Sequence, residues 1–266
     1  MSLNKPPNKA APKLPISVFI VCFNEELNIR RVLKSCSDMA EIVVVDSGST
    51  DRTVDIAKEY TSKVFFNEWP GYAKQKAFAM SLCENEWVLN LDADEELLEP
   101  LVKRFAEVIE ADEYTSVRSL RNDVFIDQIF SPLTKKPNSR RLYKKSLATF
   151  DTSRLAHESA DIEGKELFVK EVFHHYGYNE IIPIVDKNNL YSTLKAREKF
   201  DKGKSFSQLK LLLIFPLIFI KAYVLQGFAF SGLRGFIQSV NIAHYAFLKE
   251  AKLYEHWQKT KTKPLD

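Results

Sequence analysis

The stretch Trp87-Val88-Leu89-Asn90-Leu91-Asp92-Ala93-Asp94 decides how the chain reads as a fold. A short apolar run stops at two carboxylates one residue apart, and Glu95 and Glu96 follow directly. Gathering that much like charge at the mouth of a sheet is unfavourable unless something positive sits there. A divalent metal is the simplest neutraliser, and a metal with few protein ligands usually holds a phosphate as well. Bland readings compete: acidic residues favour a helix N-terminus, and an Asp-x-Asp triplet arises often by chance. Its neighbours along the chain decide between them.

Upstream, the same plan repeats. Ile16–Cys22 is a β-branched apolar run of strand length, followed by Asn24, Glu25 and Glu26, which suit a helix cap and an acidic first turn. Leu27 or Ile29, with Val32, Leu33 and Cys36, then recurs at helical spacing. Ile42–Val45 predicts a second buried strand, ending in Asp46-Ser47-Gly48-Ser49-Thr50-Asp51, with Thr50 or Ser49 as cap of a helix to about Tyr60. Lys63–Phe66 reads as a third strand, Gly71–Cys83 as a helix and Trp87–Leu91 as a fourth strand. Strands alternating with helices imply parallel βαβ units, in which ligands bind beyond the carboxyl ends of the strands. Asn24-Glu25, Asp46-Ser47-Gly48 and Asp92-Ala93-Asp94 all fall on that edge. Their coincidence is stronger evidence than any one of them.

Each motif has its own chemistry. Asp92 and Asp94 are hard oxygen ligands suited to Mg²⁺ or Mn²⁺, with Asp94 the direct contact and Asp92 reaching a ribose or a metal-bound water. Asp46 can accept from a base N–H or a ribose hydroxyl, and Gly48 allows close approach. Lys76, more than Lys74, is placed to reach diphosphate oxygens. His157-Glu158 reads as a structural pair or, if Glu158 faces the metal site and is moderately desolvated, as the source of a general base. His174 and His175 read as core histidines or as metal ligands. The chain has no GxGxxG, Walker, GxSxG or zinc-ligand spacing, which disfavours a dinucleotide oxidoreductase.

The 266 residues, 45% of them apolar, suffice for one large α/β domain of roughly 200–250 residues and an appendage. Cys22, Cys36 and Cys83 lack any paired spacing and read as buried, inert thiols. With no signal-peptide pattern, the expected compartment is cytoplasmic. From about Val117 the pattern changes to short pieces such as Leu142–Tyr143 and Phe168–Val172, and Ile182–Lys199 predicts a helix. Residues 195–266 carry 13 basic and 5 acidic side chains. Lys195, Arg197, Lys199, Lys202, Lys204 and Lys210 lead into Leu211–Ile220, ten apolar residues interrupted only by Pro216, and the further apolar run Ala222–Phe230 follows. Ten residues are too few to span a bilayer, which needs about 20. The segment is either a core helix or, with its basic lead, an interfacial anchor on an anionic membrane. Nucleic acid is not an expected partner, because the basic residues are interleaved with aliphatic runs rather than stacking aromatics.

Taken together, Ile16–Glu25, Glu41–Thr53, Trp69–Ala79 and Trp87–Glu96 resemble the N-terminal half of the family 2 glycosyltransferases, which have the GT-A fold. More narrowly, Val43–Ala57, Glu68–Ala79 and Trp87–Leu97 are similar to the lipopolysaccharide-core β-1,4-glucosyltransferase branch. Arg141-Leu142-Tyr143, His157-Glu158, His175–Tyr178, Asn189–Ser192 and Phe247–Glu255 add later points of likeness. The resemblance implies an α/β chain with a mixed, mostly parallel sheet flanked by helices. The expected organisation is a disordered tail over 1–14, a catalytic domain over 15–180 divided near residue 115, and a membrane-associating helical extension over 181–266. It further implies inverting transfer of a sugar, with glucose the expectation, from a UDP-sugar to a lipopolysaccharide-core or related cell-envelope glycan or glycolipid, with a divalent cation. The expected place is the inner face of a bacterial plasma membrane. By position, Phe23, Asn24, Glu25 and Asp46, with Ser47 and Gly48, would line the nucleoside pocket. Lys76 and Asp92 would lie at the nucleotide, Asp92 and Asp94 would form the metal motif, Glu158 would be the base, and His175 would contact metal or diphosphate. Two departures stand out: Ala77 replaces a frequent Asn, and Leu155-Ala156 precedes His157 where the branch has a valine. The rival readings are a polyprenyl-phosphate or exopolysaccharide glycosyltransferase, and a non-catalytic nucleotide-sugar-binding protein.

Overall fold

The computed structural model describes residues 13–151, 159–178 and 180–261. The chain divides into two compact units. The first runs to Arg121 and resumes over Asn138–His175; the second comprises Asn122–Pro137 and everything from Tyr176 onward.

In the first unit, β1 (Leu14–Cys22), α1 (Ile29–Ser35), β2 (Met39–Asp46), α2 (Thr53–Lys58), β3 (Val64–Phe66), α3 (Tyr72–Ser81) and β4 (Trp87–Asp92) form the alternating half. There β1 pairs in parallel with both β2 and β4, and β3 continues in parallel beside β2. The register aligns Cys22 with Asp46 and Val21 with Asp92, so the polar strand ends share one edge. Alternation sends Ile16, Val18 and Ile20 of β1 into one core with Val32, Leu33 and Phe105, and Phe19 into another with Val43, Val88 and Tyr143.

The sheet then changes hand of pairing. After β5 (Glu95–Glu96) and α4 (Glu99–Ala111) come β6 (Ser116–Phe125), β7 (Gln128–Ile129), β8 (Asn138–Lys144), the hairpin β9 (Ala148–Thr149) and β10 (Asp161–Ile162), and β11 (Glu166–Tyr178). The strand order is β3-β2-β1-β4-β8-β6-β11-β5, with β8 antiparallel to both β4 and β6. A mixed sheet, parallel on one side of β4 and antiparallel on the other, results.

The second unit holds α5 (Ile181–Asp201), α6 (Gln208–Ile220) and α7 (Gly232–Lys261), and its core gathers Phe125, Phe130, Ile184 of α5, Ala222 and Phe228, with Ile237 and Ile242 of α7 packed against them. No residue of α6 is buried. Gln208–Leu225 is long and apolar enough to cross a membrane by length and composition, and only 6% of it is buried.

Three thiols are free and buried. Burial pushes Cys36 and Cys83 up to about 12, so both are inert as nucleophiles at neutral pH.

Candidate active site

The site begins with two loops that tie themselves together. Asn24 adopts the left-handed conformation at φ 53°, one that asparagine tolerates better than most residues. Its side-chain oxygen accepts from the Thr50 N–H at 2.8 Å, and its own N–H donates to the Ser49 hydroxyl at 2.8 Å. Glu25 N–H donates to Thr53 Oγ1 at 2.7 Å, and Glu26 N–H to Asp51 at 3.1 Å. The capping expected of Asn24, Ser49 and Thr50 is therefore not what these side chains do. Instead α1 begins at Ile29 and α2 at Thr53, and Asp51 receives the Thr53 N–H and hydroxyl. The loop between β1 and α1 is fixed to that between β2 and α2.

Asp46 is buried, and its Oδ2 accepts the N–H groups of Gly48 at 2.8 Å and Ser49 at 2.9 Å. It shapes the turn that presents Ser47, whose hydroxyl accepts from the buried Gln75 amide at 3.1 Å. Gly48 has φ +102°, while a Cβ there would meet only Phe66 at an ordinary 3.6 Å. Backbone conformation rather than close approach is what calls for glycine. Phe23 stands 55% exposed beside these loops in sequence, an uncovered ring at the end of β1.

At the end of β4, charge is densely paired. Lys76, 4% exposed, donates from Nζ to Asp92 Oδ1 at 2.9 Å. Arg141 on β8 donates from Nη2 to Asp92 Oδ2 at 2.7 Å and to Glu95 Oε1, and its guanidinium lies 5.6 Å from the Phe173 ring centroid. Burial pushes Asp92 up, but Arg141 and Lys76 outweigh it and hold the carboxyl far below the usual range. Glu95 is fully buried, and burial pushes it up to about 7 against the pull of Arg141. Glu25 is raised by burial; the Asn28 amide pulls it back, and Asp94, Asp51 and Asp92 push it up again.

Asp94 lies on the same rim. Its Oδ2 is 3.4 Å from His175 Nε2, on β11. β5 pairs with β11 so that His175 faces Glu95 and His174 faces Glu96. An oxygen and an imidazole nitrogen at that separation suit two adjacent ligands of a divalent ion bound at roughly 2.1 Å, and Mn²⁺ accepts both donor types. Both oxygens of Asp92 accept from cations, Oδ1 from Lys76 and Oδ2 from Arg141. Among the described residues, no group of three or more His, Cys, Asp and Glu side chains gathers around one point. The pair Asp94–His175 therefore fits a cation that takes most of its ligands from substrate and water.

A cavity of about 430 Å³ opens beside Asp92, lined by Lys76, Arg118, Arg121, Arg140 and Arg141, with Tyr143 and Ser159. Arg118 and Arg140 share Glu166. Glu158 and His157 lie outside the described residues; the next residue, Ser159, lines this cavity.

Sequence reading placed Asn24-Glu25, Asp46-Ser47-Gly48 and Asp92-Ala93-Asp94 at one edge, and the strand register sets the ends of β1, β2 and β4 side by side there; Lys76 contacts Asp92, and His175 lies beside Asp94. It assigned no role to Arg141, Gln75 or Glu95. Arg141 is 49 residues from Asp92 in sequence, and only the β4–β8 pairing places it.

The glycosyl transferase family 2 model matches residues 17–176. The chain is 35% identical over 252 residues to the lipopolysaccharide core biosynthesis glycosyltransferase LpsC of Rhizobium meliloti, covering 92% of this chain and 93% of LpsC. It is also 35% identical over 256 residues to an uncharacterized glycosyltransferase of Rickettsia typhi, covering 90% and 87% of the two. A crystal structure of S. aureus TarS 1–349 in complex with UDP aligns with a TM-score of 0.47 at 14% identity, over 94% of this chain and 93% of that one. The chain belongs to glycosyltransferase family 2, and its mixed sheet with flanking helices is the GT-A type of fold.

Proposed function

We propose that this family 2 glycosyltransferase moves a sugar, with glucose the expected one, from a UDP-sugar to a hydroxyl of a lipopolysaccharide-core or related cell-envelope glycan, with inversion at the anomeric carbon. One observation carries the reading. Three polar strand ends meet at one edge of a parallel sheet, where Asp92 is clamped between Lys76 and Arg141 and Asp94 stands beside His175. The likeness to LpsC, a lipopolysaccharide core biosynthesis glycosyltransferase, supports the acceptor class.

The residues divide the work. Phe23, Asn24, Glu25, Asp46, Ser47 and Gly48 form the nucleoside side, where the tied loops hold a fixed shape for base and ribose. Lys76, held by Asp92, brings positive charge toward the departing diphosphate oxygens, and Asp92 reaches a ribose hydroxyl or a metal-bound water. Asp94 and His175 would hold Mg²⁺ or Mn²⁺, which supplies Lewis-acid neutralisation of the leaving group. Glu158 takes the proton of the acceptor hydroxyl as its oxygen bonds to the anomeric carbon and the carbon–oxygen bond to UDP breaks. Arg118, Arg121 and Arg140 give the cavity a cationic wall that suits an acidic glycan. The exposed apolar α6 supports attachment to the cytoplasmic face of a membrane, where such acceptors are built.

A thermal-shift screen of nucleotide sugars with and without Mn²⁺ tests the reading. A ligand that binds only the folded state raises the melting temperature by mass action, so one UDP-sugar should stand out when Mn²⁺ is present. A screen in which no UDP-sugar shifts the transition overturns it.

A further inference from the structure

The second unit contains a cavity of about 510 Å³ that the transfer reaction does not use. Six lysines line it: Lys195 and Lys199 from α5, Lys202 and Lys204 from the turn that follows it, Lys210 from the first turn of α6, and Lys249 from α7. Glu198 and Glu250 are its two carboxylates. Glu250 is buried and accepts from Lys199 at 2.5 Å and Lys210 at 3.1 Å. Glu198 accepts from Lys195 at 2.8 Å and Lys202 at 2.6 Å. Two carboxylates against six ammonium groups leave a concave surface with a strong positive excess. Desolvation holds the Lys249 ammonium below its usual pKa, and the repulsion of Lys199 adds to it, as expected where positive charge is under-compensated.

What adjoins this cavity identifies its ligand. Lys210 belongs both to its wall and to α6, a helix that is apolar on every face and buries none of its residues. Leu209, Leu212, Leu217 and Ile220 are exposed, and Val224, Leu225, Phe230 and Leu233 continue the apolar surface. A helix that is apolar all round belongs in a core or in lipid, and α6 is in no core. Cationic cavity and unburied apolar helix together are complementary to an amphiphile with an anionic head. Nucleic acid would engage the lysines and leave the helix in water.

We propose that the lysine cavity seats the phosphate of an anionic phospholipid, with α6 lying in the acyl layer beside it. This rests on the membrane attachment proposed above and adds to it a defined headgroup site. Each lysine near an anionic bilayer surface contributes about a fivefold factor in binding, and snorkelling lets Lys221 keep its charge at the interface while its stem follows α6.

The test uses the full chain and sedimentation with vesicles of phosphatidylcholine alone or mixed three to one with phosphatidylglycerol. The double variant Lys204→Gln/Lys249→Gln is compared with a charge-matched control, Lys58→Gln/Lys103→Gln, after circular dichroism shows both folded. The expected result is binding of the wild type to mixed vesicles only, weakened about 25-fold in the cavity variant and little in the control. Soluble inorganic phosphate at matched ionic strength should compete for the wild type and not for the cavity variant. Equal weakening in both variants would mean general charge attraction and overturn the headgroup site. So would a cavity that binds inorganic phosphate while its variant still sediments like the wild type. Wild type that ignores mixed vesicles altogether would overturn the membrane reading itself.

Discussion

Both ends of the parallel strands carry buried ionic clusters, and the two are built differently. At the amino end, Glu41 accepts from Ser17, from Lys63 and from the Glu84 N–H at 2.8 Å. Lys63 also reaches Glu84 at 2.6 Å, and both Asn85 N–H groups, backbone and side chain, reach Ser17 Oγ at 2.9 Å. Burial pushes the Glu41 carboxyl up, but these donors outweigh it and hold it below its ordinary value. At the carboxyl end, Asp92 and Glu95 share the Arg141 guanidinium, Lys76 also reaches Asp92, Asp94 stands 3.4 Å from the His175 imidazole, and a cavity opens alongside. The first cluster links β1, β2 and Lys63, just before β3, and holds the sheet together. The second lies beside a cavity, at the edge where ligands bind in sheets of this kind.

The sharpest way to break that comparison is Asp94→Ala. If the carboxyl end serves the ligand, the variant loses about 10²–10³-fold in kcat while its melting temperature stays with the wild type. Undiminished transfer with unchanged metal binding would remove Asp94 from the site. The reciprocal change, Glu41→Ala, leaves the Ser17 hydroxyl and the Glu84 N–H without their acceptor, while Lys63 keeps Glu84, and should cost about 1–3 kcal/mol, several degrees of melting temperature, with kcat of the folded protein unchanged. A loss of kcat at constant stability would show that the amino end also reports to the site. Steady-state kinetics and thermal melts on the same preparations decide both.

Sequence carried the alternating half because its signals are local. The apolar runs in β1, β2 and β4 are buried on both faces, and their ends are abrupt changes from apolar to acidic residues. Helix starts were misplaced for a nonlocal reason: Asn24, Ser49 and Thr50 bond across to the neighbouring loop, a choice that depends on strand order. The antiparallel half was visible only in fragments. Phe168–Val172 is the middle of a 13-residue strand, and its polar residues hide its length. Arg141-Leu142-Tyr143 is only a point of likeness in the sequence, because the partners of Arg141 lie on β4 and β5 and become neighbours only through sheet pairing. The apolar composition of α6 was plain, but whether a core covers it is a tertiary fact.

The smallest expected effect separates the two ends by the sign of their pH dependence. Glu41 has a folded pKa below its unfolded one, so its contribution is present above the unfolded value and disappears as pH falls through the folded one. Glu95 runs the other way. Burial raises it to about 7, above an unfolded value of about 4.3, so across that window the folded protein holds a proton that the unfolded chain has released. Its contribution therefore declines as pH rises from about 4.3 to about 7, and the decline is complete above the folded value. Glu95→Gln keeps the size of the side chain and removes the titration, so its melts should lose that slope while the acid-side fall attributed to Glu41 persists. Parallel curves for variant and wild type over the window would show that Arg141 keeps Glu95 ionised throughout. The carboxyl end would then hold Asp92 and Glu95 both ionised against Arg141 and Lys76.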